Sequence, residues 1–289
     1  MRAPRPLRSR SRSRFPRTPS AVAEAGAAAA GVVAAGVIAV CCSPLRAQPL
    51  AAQITTDRPD FVEASVTVGP GAFQVETSAA YTRTGSGAMR RAWWSTPTLL
   101  RLGLGRTFEL RIESPFVVRD ASAPGLDGAS GFADAALGVK WHTTDPHGAL
   151  PSSAVLVHAE LPTGSSAFRG SGVRPSLRVT LEWALPGGLG LGFMPGIAYL
   201  DGDGGRYASG LFGLTLGIPL TPRLRAFTEV AFQRLASASH GDTQGSWDLG
   251  GTYLVTDALQ LDAAVFFGAT DASPDLTFTI GASALIPGG

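Results

Sequence analysis

The chain has 289 residues, with 24 basic against 22 acidic side chains and only two cysteines. The cysteines are the adjacent Cys41 and Cys42, which excludes a disulfide framework or a cysteine-based zinc site in the rest of the chain. Residues 1–47 contain eight of the basic residues and one acid, so the remainder has 16 bases against 21 acids, a net charge of −5. That balance argues against a nucleic-acid-binding surface.

The N-terminal 52 residues predict a secretory signal peptide and its cleavage region. Residues 1–20 carry seven arginines, and residues 25–40 are small and apolar. Small residues precede two candidate cleavage points, after Ala47 and after Ala52. The apolar stretch is shorter than the ~20 residues of a spanning helix. The alternative is a basic tail that binds nucleic acid.

Apolar and polar residues alternate along most of the sequence after residue 70. In FELRIE, for example, Glu109, Arg111 and Glu113 alternate with apolar residues, and FQVETSAAYT and SLRVTLEWAL show the same pattern. A period of two predicts strands with one apolar and one polar face. No convincing helical period occurs after the leader, so residues 71–289 are predicted to form an all-β domain.

Turn signals divide this domain into twelve predicted strands, joined by connections that alternate between short and long. GRT, PGG and TPR are short, whereas TGSGAMRR, DASAPGLDGAS and SASHGDTQG are long. Tight periplasmic turns, longer external loops and an even strand number are typical of a single antiparallel up-and-down outer-membrane barrel. The predicted strands cover residues 71–83, 93–104, 107–119, 130–143, 150–162, 173–185, 189–200, 206–219, 223–235, 245–255, 258–268 and 275–286.

Aromatic residues near the strand ends favour a membrane barrel over a soluble β fold, which would place the same charged face in water. Aromatic belts form where strands cross the two membrane interfaces. The expected belts are Trp141, Trp183 and Tyr253 before short turns, and Tyr81, Trp94, Tyr199 and Tyr207 beside long loops. The sequence therefore predicts the bacterial outer membrane, with the lipid bilayer and the assembly machinery as partners.

The polar face of the predicted strands would line the barrel lumen. His158 and Glu160 share this face, and we interpret them as part of a hydrogen-bonded network rather than as a catalytic pair. The expected lumen-lining residues are nine acids, five bases and one histidine: Glu76, Arg101, Glu109, Arg111, Glu113, Asp134, Lys140, His158, Glu160, Arg178, Glu182, Arg225, Glu229, Asp248 and Asp262.

Residues 53–70, between the leader and the first strand, have neither helical nor strand periodicity. They contain TDRPDF at Thr56–Phe61, in which Pro59 predicts an extended bend. We expect this segment on the periplasmic side, where its charges pair with those at the inner mouth of the barrel as a partial plug. The alternative is a solvated linker. The candidate plug residues are Asp57, Arg58, Asp60 and Glu63.

Motifs of catalytic, cofactor and metal sites are missing from the sequence. It contains no Gly-x-Ser-x-Gly, no Walker A loop and no His-Glu-x-x-His. The stretch DGDGG at Asp201–Gly205 lacks the remaining ligands of a calcium loop. We therefore expect no catalytic residue, no cofactor and no metal site.

TDRPDF is followed by GAFQVE at Gly71–Glu76 and by GFADAALGVK at Gly131–Lys140. This combination resembles the bacterial outer-membrane transporter family that is associated with the MetA pathway of phenol degradation. The resemblance extends over most of residues 54–286. It implies an outer-membrane barrel that passes small, often hydrophobic or aromatic compounds.

Two functions fit these patterns. The first is a passive channel or transporter for small solutes, in which the acidic excess of the lumen favours neutral or weakly cationic solutes over large anions. The second is a closed-lumen structural or surface-interaction barrel without transport. The two differ in how the lumen is packed.

Overall fold

The computed structural model describes residues 53–85, 90–119, 129–202 and 205–288. The predicted signal peptide lies outside these ranges. The described residues form one closed, twelve-stranded antiparallel β-barrel, as the alternation predicted. Within these ranges, no helix is long and apolar enough to span a membrane.

Each strand pairs with its neighbour in the sequence, and β1 closes the barrel against β12, from Phe73 opposite Ile286 to Arg83 opposite Leu276. The bounds are β1 Phe73–Thr84, β2 Arg91–Thr96 and Thr98–Gly103, β3 Phe108–Glu113 and Phe116–Arg119, β4 Ser130–Phe132 and Ala136–Thr144, β5 Ser152–Glu160, β6 Arg174–Ala184, β7 Gly190–Leu200, β8 Tyr207–Pro219, β9 Leu224–Leu235, β10 Gln244–Thr256, β11 Leu259–Gly268 and β12 Leu276–Ile286.

Three strands are interrupted where the sequence predicted continuous ones. β2 breaks at Pro97, β3 at Ser114 and Pro115, and β4 at residues 133–135. Proline has no N–H to donate, so it interrupts the ladder of hydrogen bonds at the first two breaks. The chain continues in the same direction across each break, and the strand count stays at twelve.

The short connections lie at the end of the barrel that carries both the N-terminal segment and the C-terminus. In the turn between β6 and β7, Gly187 and Gly188 have φ angles of 79° and 76°. This left-handed region is open to glycine without the steric cost that a Cβ imposes. The glycines thus allow the PGG connection to reverse the chain within a few residues.

Most apolar side chains of the strands point outward, and most charged ones point inward. Leu110 and Ile112 on β3 are 40% and 45% exposed, whereas the intervening Glu109 and Arg111 are 0% and 2% exposed. A soluble β fold would have the opposite arrangement. A closed barrel with an apolar outer surface satisfies all strand hydrogen bonds internally and meets lipid with its side chains.

Aromatic side chains occupy both ends of the outer surface. Tyr81 packs against Trp94 with ring centroids 5.1 Å apart, near the external loops. At the opposite end, Phe108 stacks on Trp141 at 6.0 Å. The prediction for Tyr207 was wrong: this ring is buried inside the barrel and lies 4.4 Å from the ring of His240. Its place at the start of β8 gives it the phase of the inward-facing residues.

Candidate functional site: the occupied lumen

The N-terminal segment, defined here as residues 54–72, lies inside the barrel. At one end, Ile54 donates its backbone N–H to Asp257 in the short turn between β10 and β11 (2.7 Å). At the other end, Gly71 donates to Gly103 at the end of β2 (2.9 Å). Both attachments lie at the periplasmic mouth, so the segment enters the lumen and returns to the same mouth.

Carboxylates of the barrel wall accept hydrogen bonds from the backbone of this segment. Glu229 on β9 accepts from the N–H groups of Phe61 (2.7 Å) and Val62 (2.9 Å). The other three pairs are Glu76 with the N–H of Asp57 (3.0 Å), Glu182 with that of Ser65 (2.6 Å), and Glu109 with that of Val68 (3.0 Å). Four strands distributed around the barrel thus hold the segment.

Side chains of the barrel wall also donate hydrogen bonds to backbone carbonyl groups of the N-terminal segment. The Lys140 ammonium donates to the carbonyl of Ala64 (2.8 Å), and the Arg101 guanidinium donates to those of Thr55 (2.9 Å) and Val66 (3.1 Å). A segment without regular secondary structure needs such partners, because a buried backbone group without a hydrogen bond is costly. The charged lumen face therefore matches the backbone of this segment.

Asp57 is the centre of a buried network of ion pairs. Its carboxylate lies 2.8 Å from the Lys140 ammonium, 2.5 Å from the Arg111 guanidinium and 3.5 Å from that of Arg101. Burial alone would raise the pKa of Asp57, but these three cations outweigh it and hold the pKa below its usual range. Asp57 is therefore an anion in the closed lumen.

Glu63 forms a second junction between the segment and the wall. It pairs with Arg111 at 2.7 Å and with Arg178 on β6. Burial raises the pKa of Glu63, but the two guanidinium groups reverse the shift and lower it to about 2. Its backbone carbonyl also accepts a hydrogen bond from Thr180 at 2.5 Å. Glu63 is thus fixed by side chain and backbone together.

The other two charged residues of the motif are less well paired. Among the described residues, the one carboxylate within 4.0 Å of the Arg58 guanidinium is that of Asp262 on β11, at 3.8 Å. Among the described residues, no basic group lies within 4.0 Å of the Asp60 carboxylate. Burial raises the pKa of Asp60, and the nearby carboxylates of Glu229 and Glu182 raise it further. The two halves of TDRPDF therefore differ in their electrostatics.

Glycines of the wall make room for apolar side chains of the segment. A Cβ on Gly213 would lie 2.6 Å from a methyl group of Val62 and 2.9 Å from the ring of Phe61, and one on Gly192 would lie 3.0 Å from Val62. Such distances are shorter than van der Waals contact. The inner face of β7 and β8 is therefore shaped to receive residues 61 and 62.

A cavity of about 250 Å³ adjoins residues 57–63 of the N-terminal segment, which we call its tip. One side is formed by the segment, including Asp60 and Phe61, and the other by the interrupted parts of β2 and β3, including Leu99 and Pro115. It lies on the side of the segment that faces away from the periplasmic mouth. The segment therefore forms the floor of a small chamber within the lumen.

The structure places most of the sequence-predicted lumen residues against this segment or against one another. Glu113, Glu160, Arg178 and Glu182 are half-buried, and Arg225 is exposed at the periplasmic mouth. The deeply buried members are Glu76, Arg101, Glu109, Arg111, Asp134, Lys140, His158, Glu229, Asp248 and Asp262.

His158 and Glu160 share the inner face but do not form a pair. The His158 ring lies 3.2 Å from Arg111 and 3.3 Å from Glu113, whereas Glu160 pairs with Arg174 at 2.5 Å. Asp134 lies in the break of β4 rather than on a continuous strand. It accepts N–H groups of the β5–β6 loop and pairs with Arg174 at 2.8 Å, so it fixes an external loop.

Sequence reasoning missed several neutral residues that hold the segment. Gln74 donates to the carbonyl of Thr55 (2.9 Å), and Ser152 shares a hydrogen bond with Ser65 (2.6 Å). Gln74 lies between the outward-facing Phe73 and Val75, and this alternation identifies it as inward-facing, whereas Ser152 lies between Pro151 and Ser153 and has no such signal. Among the described residues, no group of three or more His, Cys, Asp or Glu side chains is arranged to hold a metal ion.

Comparison with protein families gives one match that covers most of the chain. The family described as "Putative MetA-pathway of phenol degradation" matches residues 56–286, which include all but the first two residues of the N-terminal segment and all twelve strands. A search of curated proteins gives no match.

Solved structures of bacterial outer-membrane barrels share the fold. An outer-membrane channel from Pseudomonas putida F1 has a TM-score of 0.60 at 14% identity, with 77% of this chain and 98% of that chain covered. The NanC porin has a TM-score of 0.51 at 12% identity, with 73% of this chain and 98% of that chain covered. With its apolar outer surface, this barrel is located in the bacterial outer membrane.

Proposed function

Because the chain belongs to the family described by the MetA pathway of phenol degradation, we propose that it is a passive outer-membrane channel for small solutes. In this proposal, residues 1–52 are a signal peptide, residues 54–72 are a plug, and the twelve strands form the conduit. The conformation described above is the closed state. The solutes include the small hydrophobic or aromatic compounds that the family description implies.

The observation that carries this proposal is the way in which the lumen is filled. A twelve-stranded barrel has a wider interior than an eight-stranded one, whose side chains alone can fill it. Here the interior is filled by a separate stretch of chain that enters and leaves at the periplasmic mouth. Its contacts with the wall are mainly hydrogen bonds and ion pairs, which water can replace when the segment withdraws.

The comparisons with channels and porins support a non-enzymatic role. The carboxylates and the histidine of the lumen contact the segment or neighbouring cations, and their arrangement serves to hold it. We assign no catalytic residue to the described part of the chain.

A permanently closed structural barrel is the second candidate. It is favoured by the deep burial of the lumen residues: Glu76, Arg101, Glu109 and Lys140 are all 0% exposed. Side chains that line a water-filled pore are exposed to solvent. In this alternative the segment never leaves, and the ion pairs serve only to stabilise the barrel.

Deletion of residues 54–65 distinguishes the two candidates. In planar bilayers the deleted protein should show larger single-channel conductance than the full chain, because the deletion removes the ion-paired part of the plug. Circular dichroism and resistance to unfolding in cold SDS should show that the barrel remains folded. A full chain that shows neither conductance nor solute flux in liposome swelling, together with a folded but non-conducting deletion variant, would favour the structural barrel.

A further inference from the structure

The cavity at the tip of the segment contains a carboxylate without a counter-ion. Asp60 lines the cavity, is half-buried, and has no basic group within 4.0 Å among the described residues. The carboxylates of Glu182, Glu229 and Asp57 lie close enough to repel the negative charge of Asp60. Asp60 in turn repels the carboxylate of Asp248. Around Asp60 itself, acidic groups therefore predominate.

Three arginines line the cavity: Arg111 and Arg178 are ion-paired, whereas Arg58 lies beyond hydrogen-bond distance of any carboxylate among the described residues. Arg111 and Arg178 both pair with Glu63, and Arg111 also pairs with Asp57. Arg58 approaches Asp262 at 3.8 Å. An anion in the cavity would compete with these carboxylates and would meet the repulsion of the acidic groups around Asp60. The electrostatics therefore disfavour an anionic ligand.

The rest of the cavity surface is largely apolar. Phe61 belongs to the segment, while Pro97, Leu99 and Pro115 come from the interrupted parts of β2 and β3. The prolines that break the ladders therefore also give the chamber an apolar wall opposite the carboxylate. An aromatic ring next to an acid is an arrangement that attracts organic cations, through charge pairing and through the negative face of the ring.

We propose that this cavity binds a small organic cation, with a protonated amine paired to Asp60 and an apolar body against Phe61, Pro97 and Pro115. The volume of about 250 Å³ restricts the ligand to a small molecule. The inference rests on the proposed channel for the route by which the ligand arrives. It adds a substrate class to that function, the small alkylammonium compounds.

The raised pKa of Asp60 has a consequence for binding. Only the ionised carboxylate pairs with an ammonium group, so binding should strengthen as the pH rises through the raised pKa of Asp60. An alkylammonium ion has a pKa close to that of lysine, about 10.4, and stays charged over that range. Binding of a neutral alcohol should not follow the same profile.

Three probes with similar bodies and different charges test the proposal: pentylammonium, hexanoate and 1-pentanol. Calorimetry on the full chain in detergent, at an alkaline pH at which Asp60 is ionised, should show that pentylammonium binds about tenfold more tightly than 1-pentanol, the size expected for a hydrogen bond to a charged group. Hexanoate should bind most weakly. Equal affinities for pentylammonium and 1-pentanol, or no detectable binding of pentylammonium, would overturn the proposal.

The Asp60→Asn variant removes the charge and keeps the shape of the side chain. It should lose about tenfold in affinity for pentylammonium and none for 1-pentanol. Asp275→Asn, at an exposed acid in an external loop, is the matched control and should bind like the wild type. Asp60→Glu should keep the preference for the cation. Unchanged binding of pentylammonium to Asp60→Asn would also overturn the proposal.

These measurements separate this inference from the channel function. Binding in detergent does not require conduction. A protein that binds pentylammonium but shows no conductance would therefore support this site and contradict the channel function. A conducting protein without preference for pentylammonium over 1-pentanol retains the channel and loses the site.

Discussion

At the residue scale, Asp57 forms more ion pairs with the barrel wall than any other described residue of the N-terminal segment. It pairs with Lys140, and it shares Arg101 and Arg111 with other acids. It also accepts the N–H of Ala64 at 2.8 Å, which closes the segment on itself. Its three cations are buried in the wall. Without an anion at this position, they would be left with too little compensating charge.

Asp57→Asn should therefore loosen the segment. Removing one partner of a buried ion pair typically costs about 3–5 kcal/mol, because the remaining charge is left uncompensated. A thiol placed at Ala64→Cys, with Cys41 and Cys42 changed to Ser, reports the loosening. We expect a membrane-impermeant maleimide to label it faster in Asp57→Asn than in the Asp275→Asn control. Equal labelling rates would contradict the role of Asp57.

The opposite pKa shifts of Asp57 and Asp60 predict that docking of the segment has a pH optimum. Asp57 has a lowered pKa, so its contribution is present above its ordinary value of about 3.9 and is lost as the pH falls further. Asp60 has a raised pKa, so its ionisation opposes docking as the pH rises from about 4 through the raised value.

Single-channel recordings as a function of pH test this optimum. Conductance of the wild type should increase on both sides of a minimum. Asp60→Asn should remove the increase at higher pH and leave the one at low pH. A wild-type conductance that is flat over this range would argue against both contributions.

The charged residues of the wall were predictable from the sequence, whereas their partners were not. Strict alternation along FELRIE gives the direction of Glu109 and Arg111 without any structure. The N-terminal segment has no period, and its contacts are distant in sequence: Val62 meets Glu229, 167 residues away. Such pairings depend on how the closed barrel brings its strands around the lumen.

At the element scale, β7 and β8 are adapted to the segment through their glycines. Gly213→Val should push Val62 and Phe61 away from the wall, because even a Cβ at this position would overlap them. We expect faster maleimide labelling at Ala64→Cys and a barrel that still folds. Gly105→Val is a suitable control, since a Cβ on Gly105 meets no atom within 4 Å. Labelling that matches this control would show that the contact is dispensable.

The outward faces of the strands make a separate prediction about lipid contact. Leu181 lies in the middle part of β6 and points away from the lumen, opposite Phe193 of β7. Leu181→Arg should cost roughly 2–4 kcal/mol near the bilayer midplane, while Ile286→Arg at a strand end should cost about 0–1 kcal/mol. Urea titrations of the barrel refolded into lipid vesicles measure both. Equal costs would contradict the depth assigned to Leu181.

Strand number and direction followed from alternation and turn signals, but the strand breaks did not. At Pro97 the inward and outward phase continues across the break, so a pattern of polar and apolar residues does not register it. The prediction of the aromatic belts failed at one residue for a different reason. Tyr207 lies beside a long loop, as the other predicted belt residues of that end do, but its position in the alternation of β8 turns it inward. Proximity to a loop was a weaker guide than phase.

At the scale of the whole molecule, the sequence predicted a charged lumen but did not determine whether that lumen is open or filled. An acidic excess fits an open pore, and it also fits a closed one. In the structure the excess has a specific use, because four wall carboxylates accept backbone N–H groups of the segment. The number of charges on the strands does not reveal this role, because the carboxylates bind backbone N–H groups, which nearly every residue of any sequence has.

When the segment is removed, the same carboxylates lose their partners and face water. The inner surface predicted from the sequence then presents nine acids against five bases, and its field should attract cations. We therefore expect the variant that lacks residues 54–65 to select K⁺ over Cl⁻, measured as a reversal potential in a KCl gradient. Selectivity should fall at 1 M salt, where the screening length is about 3 Å. Glu229→Gln combined with Asp248→Asn should weaken it, because these neighbouring acids lie opposite each other on β9 and β10. A deleted barrel that selects anions, or one whose selectivity ignores both salt and this double substitution, would show that the acidic excess does not control the open lumen.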